Sequence, residues 1–167
     1  KAAKISDKKS FTNYLEVLSK SLLDGSYEKI DKAWLNVKGA NLDVVIGPYE
    51  RYLDKLYFQK RAYQGCISIL DPEKTQRAQK IRDILYSSII EKPLRVIPPS
   101  IVDVQAQQPL IFTGFLARVM FTQQHLPSNT KSVEKYGSRI LGYISCLEYK
   151  FEKMIYPIFK AVFEKSF

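Results

Sequence analysis

The sequence predicts an α+β fold, a small and mainly antiparallel sheet flanked by helices and closed by a long C-terminal helix. Three observations predict it. Apolar residues recur at helical spacing within residues 1–40 and again beyond residue 130. Short β-branched runs bounded by Gly and Pro, above all Leu42–Ile46, read as strands, as do the apolar runs of residues 101–122. The 167 residues, 46% hydrophobic and 26% charged, have ordinary globular composition. A chain of this length buries about 70% of its unfolded surface and needs no covalent staples. The expected organisation is a single domain over 1–167, or an excerpt of a larger fold. It is helical over 1–40, mixed strands and helix over 41–125, and a long helix over 130–167.

Phe11, Tyr14, Leu15, Leu18 and Leu22 set a first helix from Ser10 to Leu23, with Ser10 as N-cap and Asp24-Gly25 as its stop. A second helix runs from about Ser26 to Asn36, with Tyr27, Ile30, Ala33 and Trp34 inward. Gly39-Ala40-Asn41 turns the chain into the strand Leu42–Ile46, which Gly47-Pro48 follows. Extended backbone beyond it puts Glu50, Tyr52 and Asp54 on one face. Residues 58–69 are ambiguous and end in a strand over Cys66–Leu70. Asp71-Pro72-Glu73 is an N-cap, a proline at the first helical position and a first-turn acid. That helix reaches about Ile90, burying Ala78, Ile81, Leu85 and Ile89, and the proline-bearing stretch Lys92–Ser100 connects it onward. Two or three strands are expected between Ile101 and His125, with Gly114 in a turn or bulge. His125 to Asn129 breaks the run, with His125 placed in the turn and bonded to backbone. A long helix opens near Ser132, with Val133, Tyr136, Ile140, Ile144, Leu147, Phe151, Ile155 and Phe159 as its apolar stripe. The stripe Phe151, Ile155, Phe159 and Phe163 reads as core or as an interface, and Pro157 is expected to kink or end the helix.

Composition narrows the function. The formal charge is +9, yet residues 1–40, 41–100 and 101–167 each carry +3, with acids interleaved throughout. Nucleic-acid binders concentrate such charge in a stripe or arm, so nucleic acid is not the expected partner. No apolar run approaches the ~20 residues of a membrane span, and no signal-peptide pattern opens the chain. No membrane partner is therefore expected, and a cytoplasmic location is favoured. Cys66 and Cys146 form no framework of spacings, and a reducing compartment suits them. The sole histidine, His125, is the one available base for a Ser-His-Asp or Cys-His arrangement, and no nucleophile elbow accompanies it. Nothing in the spacing supports a zinc site built from Cys66, Cys146 and His125. The chain does not read as an autonomous enzyme.

The residues also carry a family resemblance. Leu42 to Leu56, read Leu-Asp-Val-Val-Ile-Gly-Pro-Tyr-Glu-Arg-Tyr-Leu-Asp-Lys-Leu, resembles the DVVIGPxExYxDxLFGYK segment of the dipeptidyl peptidase III family. Those enzymes are zinc exopeptidases that release dipeptides from peptide N-termini. Upstream, Tyr27 to Leu35 is similar to a family stretch with an Ala-Trp pair, here Ala33-Trp34. Downstream, Leu126-Pro127, Gly137-Ser138-Arg139 and Glu148 to Ile158 resemble the family's NLPN…KGSKR…EAKFxKILxPI. The resemblance spans essentially all of the chain.

It implies a peptidase-like lobe that lines a peptide cleft. Glu50 and Tyr52 match family residues that contact substrate: a carboxylate pairs with a peptide ammonium, and a phenol bonds a backbone carbonyl. A structural role, with Glu50 and Asp54 paired to Arg51 or Lys55, stands beside that. The family's Asn-x-Pro-Asn stands here as His125-Leu126-Pro127-Ser128, so both amides are replaced, and Asn129 is left as a partial substitute. The Gly-Asp-x-Asn-x-Gly stretch aligns with Thr113 to Arg118 and is lost, and Phe58-Gln59-Lys60 replaces Phe-Gly-Tyr-Lys. The family's zinc motif, H-E-x-x-G-H, is absent from these residues, so no cofactor is expected in this chain. The implied reading is a peptide-binding cleft wall, inert alone, whose partners are a short peptide or extended segment and the remainder of a parent protein. The alternatives are an excerpt of an active zinc peptidase, or a basic protein-interaction or nucleic-acid-binding module.

Overall fold

Apolar side chains spaced three and four apart decide the first layer. The computed structural model describes residues 1–50, 54–57, 61–90, 102–114, 117 and 121–164. After a short helix α1 (Ala2–Ile5), helix α2 (Lys9–Asp24) buries Phe11, Tyr14, Leu18 and Ser21 on one face. Its start differs from expectation. Lys8 is the N-cap, and Ser10 lies inside the first turn, where its hydroxyl donates to the Lys38 carbonyl and accepts from the Lys38 N–H at 3.1 Å. Tertiary bonding to the chain after the next helix has taken the capping oxygen. Leu22, expected inward, is 40% exposed, and Ser21 takes its place. Gly25 ends the helix at φ 76°, its N–H donating to the Ser21 carbonyl. Helix α3 (Glu28–Leu35) buries Ile30, Ala33 and Trp34 as expected.

The sheet has five strands in the order β1-β2-β3-β5-β4. β1 (Leu42–Glu50) pairs antiparallel with β2 (Ala62–Leu70), and β2 pairs antiparallel with β3 (Val102–Gly114). β3 runs parallel to β5 (Ser138–Tyr143), which pairs antiparallel with β4 (Gln123–Leu126). β1 outlasts the expected Leu42–Ile46. It passes through Gly47-Pro48 because its register shifts between Gly47 and Glu50, and Pro48 lies on an edge strand beside that irregularity, where a missing N–H is tolerated. Residues 102–114 form one continuous strand, with a register shift opposite Ile67/Ser68. Gly114 ends it at φ 63°, and a Cβ there would stand 2.2 Å from the Tyr63 carbonyl oxygen. The expected run over Arg118–Met120 lies outside the described residues.

α3 binds strands that the sheet order separates. Trp34 Nε1–H donates to Asp43 Oδ1 on β1 at 2.9 Å, while Arg139 on β5 donates to the Trp34 and Leu35 carbonyls at 3.4 and 3.3 Å. The Arg139 guanidinium also lies 4.7 Å from the Trp34 ring centroid and pairs with Asp103 on β3 at 2.8 Å. The Tyr14 hydroxyl donates to the Val44 carbonyl. These contacts hold the α2–α3 layer on a core that includes Val45, Cys66, Leu126, Leu141 and Tyr143.

Helix α4 (Pro72–Ile90) occupies the expected span, with Asp71 accepting from the Lys74 N–H. Its orientation overturns the expected burial. Ile81 and Leu85 are 58% and 57% exposed, and the Ile89 side chain lies outside the description. Thr75, Gln79 and Arg82 turn towards β3 instead, bonding the Ala106 N–H and the Val104 and Val102 carbonyls.

The expected long helix from Ser132 is also corrected. α5 (Thr130–Tyr136) stops at Gly137, φ 82°, and residues 138–143 form β5 between β3 and β4. Tyr136, Ile140 and Ile144 therefore belong to three different elements. The terminal rod consists of α6 (Ile144–Lys150), one π-type turn (Phe151–Ile155) and α7 (Tyr156–Phe163). Pro157 neither ends nor breaks it. It follows the wide turn in which the Tyr156 N–H reaches back to the Phe151 carbonyl, and it occupies the first turn of α7, where its missing N–H costs little. Phe151, Ile155, Phe159 and Phe163 are each about half exposed, so this stripe is not core within the described residues. Among those residues no helix is long and apolar enough to cross a membrane.

Candidate functional site

The β1 end and the turn after β4 meet at a small polar pocket of about 220 Å³. α3 and the turn before it supply Tyr27, Ile30 and Asp31; β1 supplies Pro48 and Tyr49; Arg61 precedes β2. Ser128 and Asn129 come from the turn, and Ser132 from the first turns of α5. The turn is held by the Asn129 side chain, which caps α5 by accepting from the Lys131 N–H at 3.0 Å. Position within α3 puts Asp31 one residue past buried Ile30, at the rim of the packed face.

The electrostatics of the pocket centre on Asp31. Burial raises its carboxyl above the usual carboxylate range, opposed by a hydrogen bond from Ser132 and by the Arg61 guanidinium. Burial also pushes the Tyr49 phenol well above its ordinary value, with the negative charges of Asp31 and Asp43 adding to it. The Tyr27 and Tyr63 hydroxyls share a hydrogen bond that raises Tyr27 to about 12, and their rings meet edge to face at 6.3 Å. The pocket thus gathers two phenols, one carboxyl, one guanidinium, two serine hydroxyls and an amide. Such a set can hold both ends of a polar, zwitterionic or backbone-like group.

The structure distributes the expected site residues unevenly. Ser128 and Asn129 line the pocket. Glu50 is the last residue of β1, paired with Ala62 and next to the pocket residue Tyr49; its side chain, and all of Tyr52, lie outside the description. His125 does not line the pocket. It is not in a turn either. It sits on β4 opposite Ile140, with Nε2 2.8 Å from the Ser138 hydroxyl, because β4 runs on to Leu126 and the break begins only at Pro127. Asp31, Tyr49 and Arg61 were not anticipated. The one available signal was position: Tyr49 adjoins Glu50 in the segment that carries the family resemblance.

Within the described residues the zinc of the resembled family finds no matching donor set. Among the described residues no group of three or more His, Cys, Asp and Glu stands together. His125 is engaged with Ser138, and burial raises the Cys66 thiol above its ordinary range against hydrogen bonds from Tyr143 and Ser68. These residues do not fit a zinc site.

No protein-family model matches the chain. Nudix hydrolase 3 of Arabidopsis thaliana is 26% identical over 171 residues, which is 99% of this chain and 22% of that protein. Dipeptidyl peptidase III from Caldithrix abyssi superposes on 94% of the chain with a TM-score of 0.83 and 28% identity. The enzyme from Corallococcus sp. strain EGB superposes on 95% with a TM-score of 0.81 and 24% identity, a likeness of fold. The chain spans only 31% and 30% of those two structures. In sequence and in three dimensions alike, this chain resembles a segment of dipeptidyl peptidase III.

Proposed function

We propose that this chain is one wall of a dipeptidyl peptidase III-like peptide cleft, that it binds the N-terminal end of a short peptide, and that it does not cleave it alone. The observation that carries the reading is the pocket at the end of β1, where Pro48 and Tyr49 meet Ser128 and Asn129. Two stretches that the resemblance marks as peptide-contacting thus adjoin one cavity. Glu50, with Asp31, supplies carboxylate for the peptide ammonium, and Tyr52 supplies a phenol for a backbone carbonyl. Asn129 spends its carbonyl on the α5 cap, which leaves its amide N–H groups to donate to peptide. β1 is an edge strand, so an extended peptide has a template beside that pocket.

The chain's share of the solved peptidases, 31%, favours a second form of the same reading. In it the wall works within a larger protein whose other residues hold zinc and carry out hydrolysis.

The test is a calorimetric titration of the chain with a tetrapeptide bearing a free N-terminus and with its N-acetylated counterpart. Charge-assisted hydrogen bonds contribute about 1.5–3 kcal/mol, so acetylation or Glu50→Ala should each weaken binding roughly 10-fold or more. Equal affinity for both peptides, or unchanged binding by Glu50→Ala and Tyr52→Phe together, would sink the reading.

A further inference from the structure

Every residue of the terminal rod from Phe151 to Glu164 is exposed, although the rod is continuously helical. It is also two-sided. Helical spacing, followed through the one wide turn, gathers Phe151, Ile155, Ile158, Phe159 and Val162 on one side, each 48–64% exposed. Glu152, Lys153, Lys160 and Glu164 fall away from that side, with Lys160 and Glu164 paired at 3.5 Å.

Area and charge both fit a second copy of the chain on the apolar side. Side chains of this size carry on the order of 200 Å² each, so the exposed halves of five amount to roughly 500 Å². Two copies set face to face bury about 1,000 Å², the size at which specific interfaces begin. The charged side of the rod holds two acids and two lysines and so has no net charge. A lipid surface or an acidic partner calls for an excess of Lys and Arg there, which the rod lacks. Two neutral rods, by contrast, do not repel.

The order of the apolar residues sets the geometry. Phe151, Ile155, Ile158 and Val162 stand four, three and four apart, the alternation by which paired helices keep one seam. That spacing is the same read from either end. An antiparallel partner therefore sets Ile155 against the partner's Ile158 and Phe151 against the partner's Val162. The antiparallel sense also holds the two bodies, from chains of +9 each, at opposite ends of the paired rods.

We infer that two copies of this chain associate through the apolar side of the rod as a closed antiparallel dimer, with Ile155 and Ile158 at its centre. The contact shares no residue with the pocket at the end of β1, so it is independent of the peptide-wall reading.

The experiment is sedimentation equilibrium of the intact chain across micromolar concentrations. A monomer–dimer equilibrium that stops at two copies is expected. Ile155→Glu and Ile158→Lys should each weaken it about 10-fold or more, with far-UV circular dichroism confirming that both variants are folded. Mixing the two variants should restore dimer, because the antiparallel seam brings Glu against Lys at one crossing and leaves Ile155 against Ile158 at the other. A parallel pair or a non-specific aggregate gains nothing from the mixture. A monomer at every concentration overturns the proposal, including one that instead binds anionic vesicles. So does growth beyond two copies, association that survives Ile155→Glu as it would if α4 supplied the contact, or a mixture no tighter than its components.

Discussion

The α2–α3 pair and α4 are amphipathic helices set against the same five-stranded sheet, and they dock by opposite chemistry. α2 and α3 bury Phe11, Tyr14, Leu18, Ile30 and Trp34 in the core, with the Tyr14 hydroxyl and the Trp34 indole bonding β1 inside it. α4 turns Thr75, Gln79 and Arg82 towards β3 and leaves Ile81, Ile84 and Leu85 outward, 57–64% exposed. The terminal rod behaves like α4: Phe151, Ile158, Phe159 and Val162 are all 53–64% exposed. A salt bridge between Lys74 and Glu148 at 2.9 Å joins α4 to α6 at their exposed surface. The difference teaches that an apolar stripe establishes a helix without establishing which side of it the sheet takes. Where a strand offers carbonyls and N–H groups that need partners, a polar face docks and the apolar one is left outside.

Mutations on the two layers can break or sharpen that contrast. The largest effect is expected from Trp34→Ala. It empties a core site and removes the donor to buried Asp43, and aromatic-to-alanine changes in cores cost about 3–5 kcal/mol. Urea denaturation should show that loss, and a cost below about 1 kcal/mol would mean that the α2–α3 layer is not what holds β1. On α4, Gln79→Leu adds apolar surface yet should destabilise by about 1 kcal/mol, because Asp103 and the Val104 carbonyl lose a donor. A stabilised variant in the same assay would show that α4 docks through its apolar face after all. The smallest effect is expected from the paired change Ile81→Asn and Leu85→Gln. Exposed substitutions usually stay within about 0.5 kcal/mol, so the midpoint should hardly move. Concentration-dependent self-association in sedimentation should nonetheless fall, since the change removes an uncovered apolar patch. A large loss of stability would place these residues in a core.

Some of this was legible in the residues. Asp71-Pro72-Glu73 marked the start of α4 because capping is local chemistry, settled within four residues. The helical spacing of Ile30, Ala33 and Trp34 marks them as inward, and the structure buries all three. β5 is hidden in the sequence because Tyr136, Ile140 and Ile144 fit a helical stripe, although Gly137 and the alternation Arg139, Leu141, Tyr143 fit a strand equally well. Periodicity does not separate the two over so short a run. In the pocket, the turn residues Ser128 and Asn129 were found through the family resemblance. Asp31, Tyr49 and Arg61 carry no motif and adjoin one another only after α3, β1 and β2 have packed.

The sequence by itself determined the fold class, most helix and strand boundaries in the first ninety residues, the evenly spread positive charge and the likeness to dipeptidyl peptidase III. These depend on neighbours within a few positions, or on patterns that survive in the order of residues. Tertiary structure alone decided that α4 docks by its polar side, that His125 lies on a strand bonded to Ser138, and that Arg139 on β5 joins Asp103 on β3 to the end of α3. Each of those outcomes depends on which buried group finds a partner across the sheet, and that pairing exists only once distant strands are side by side.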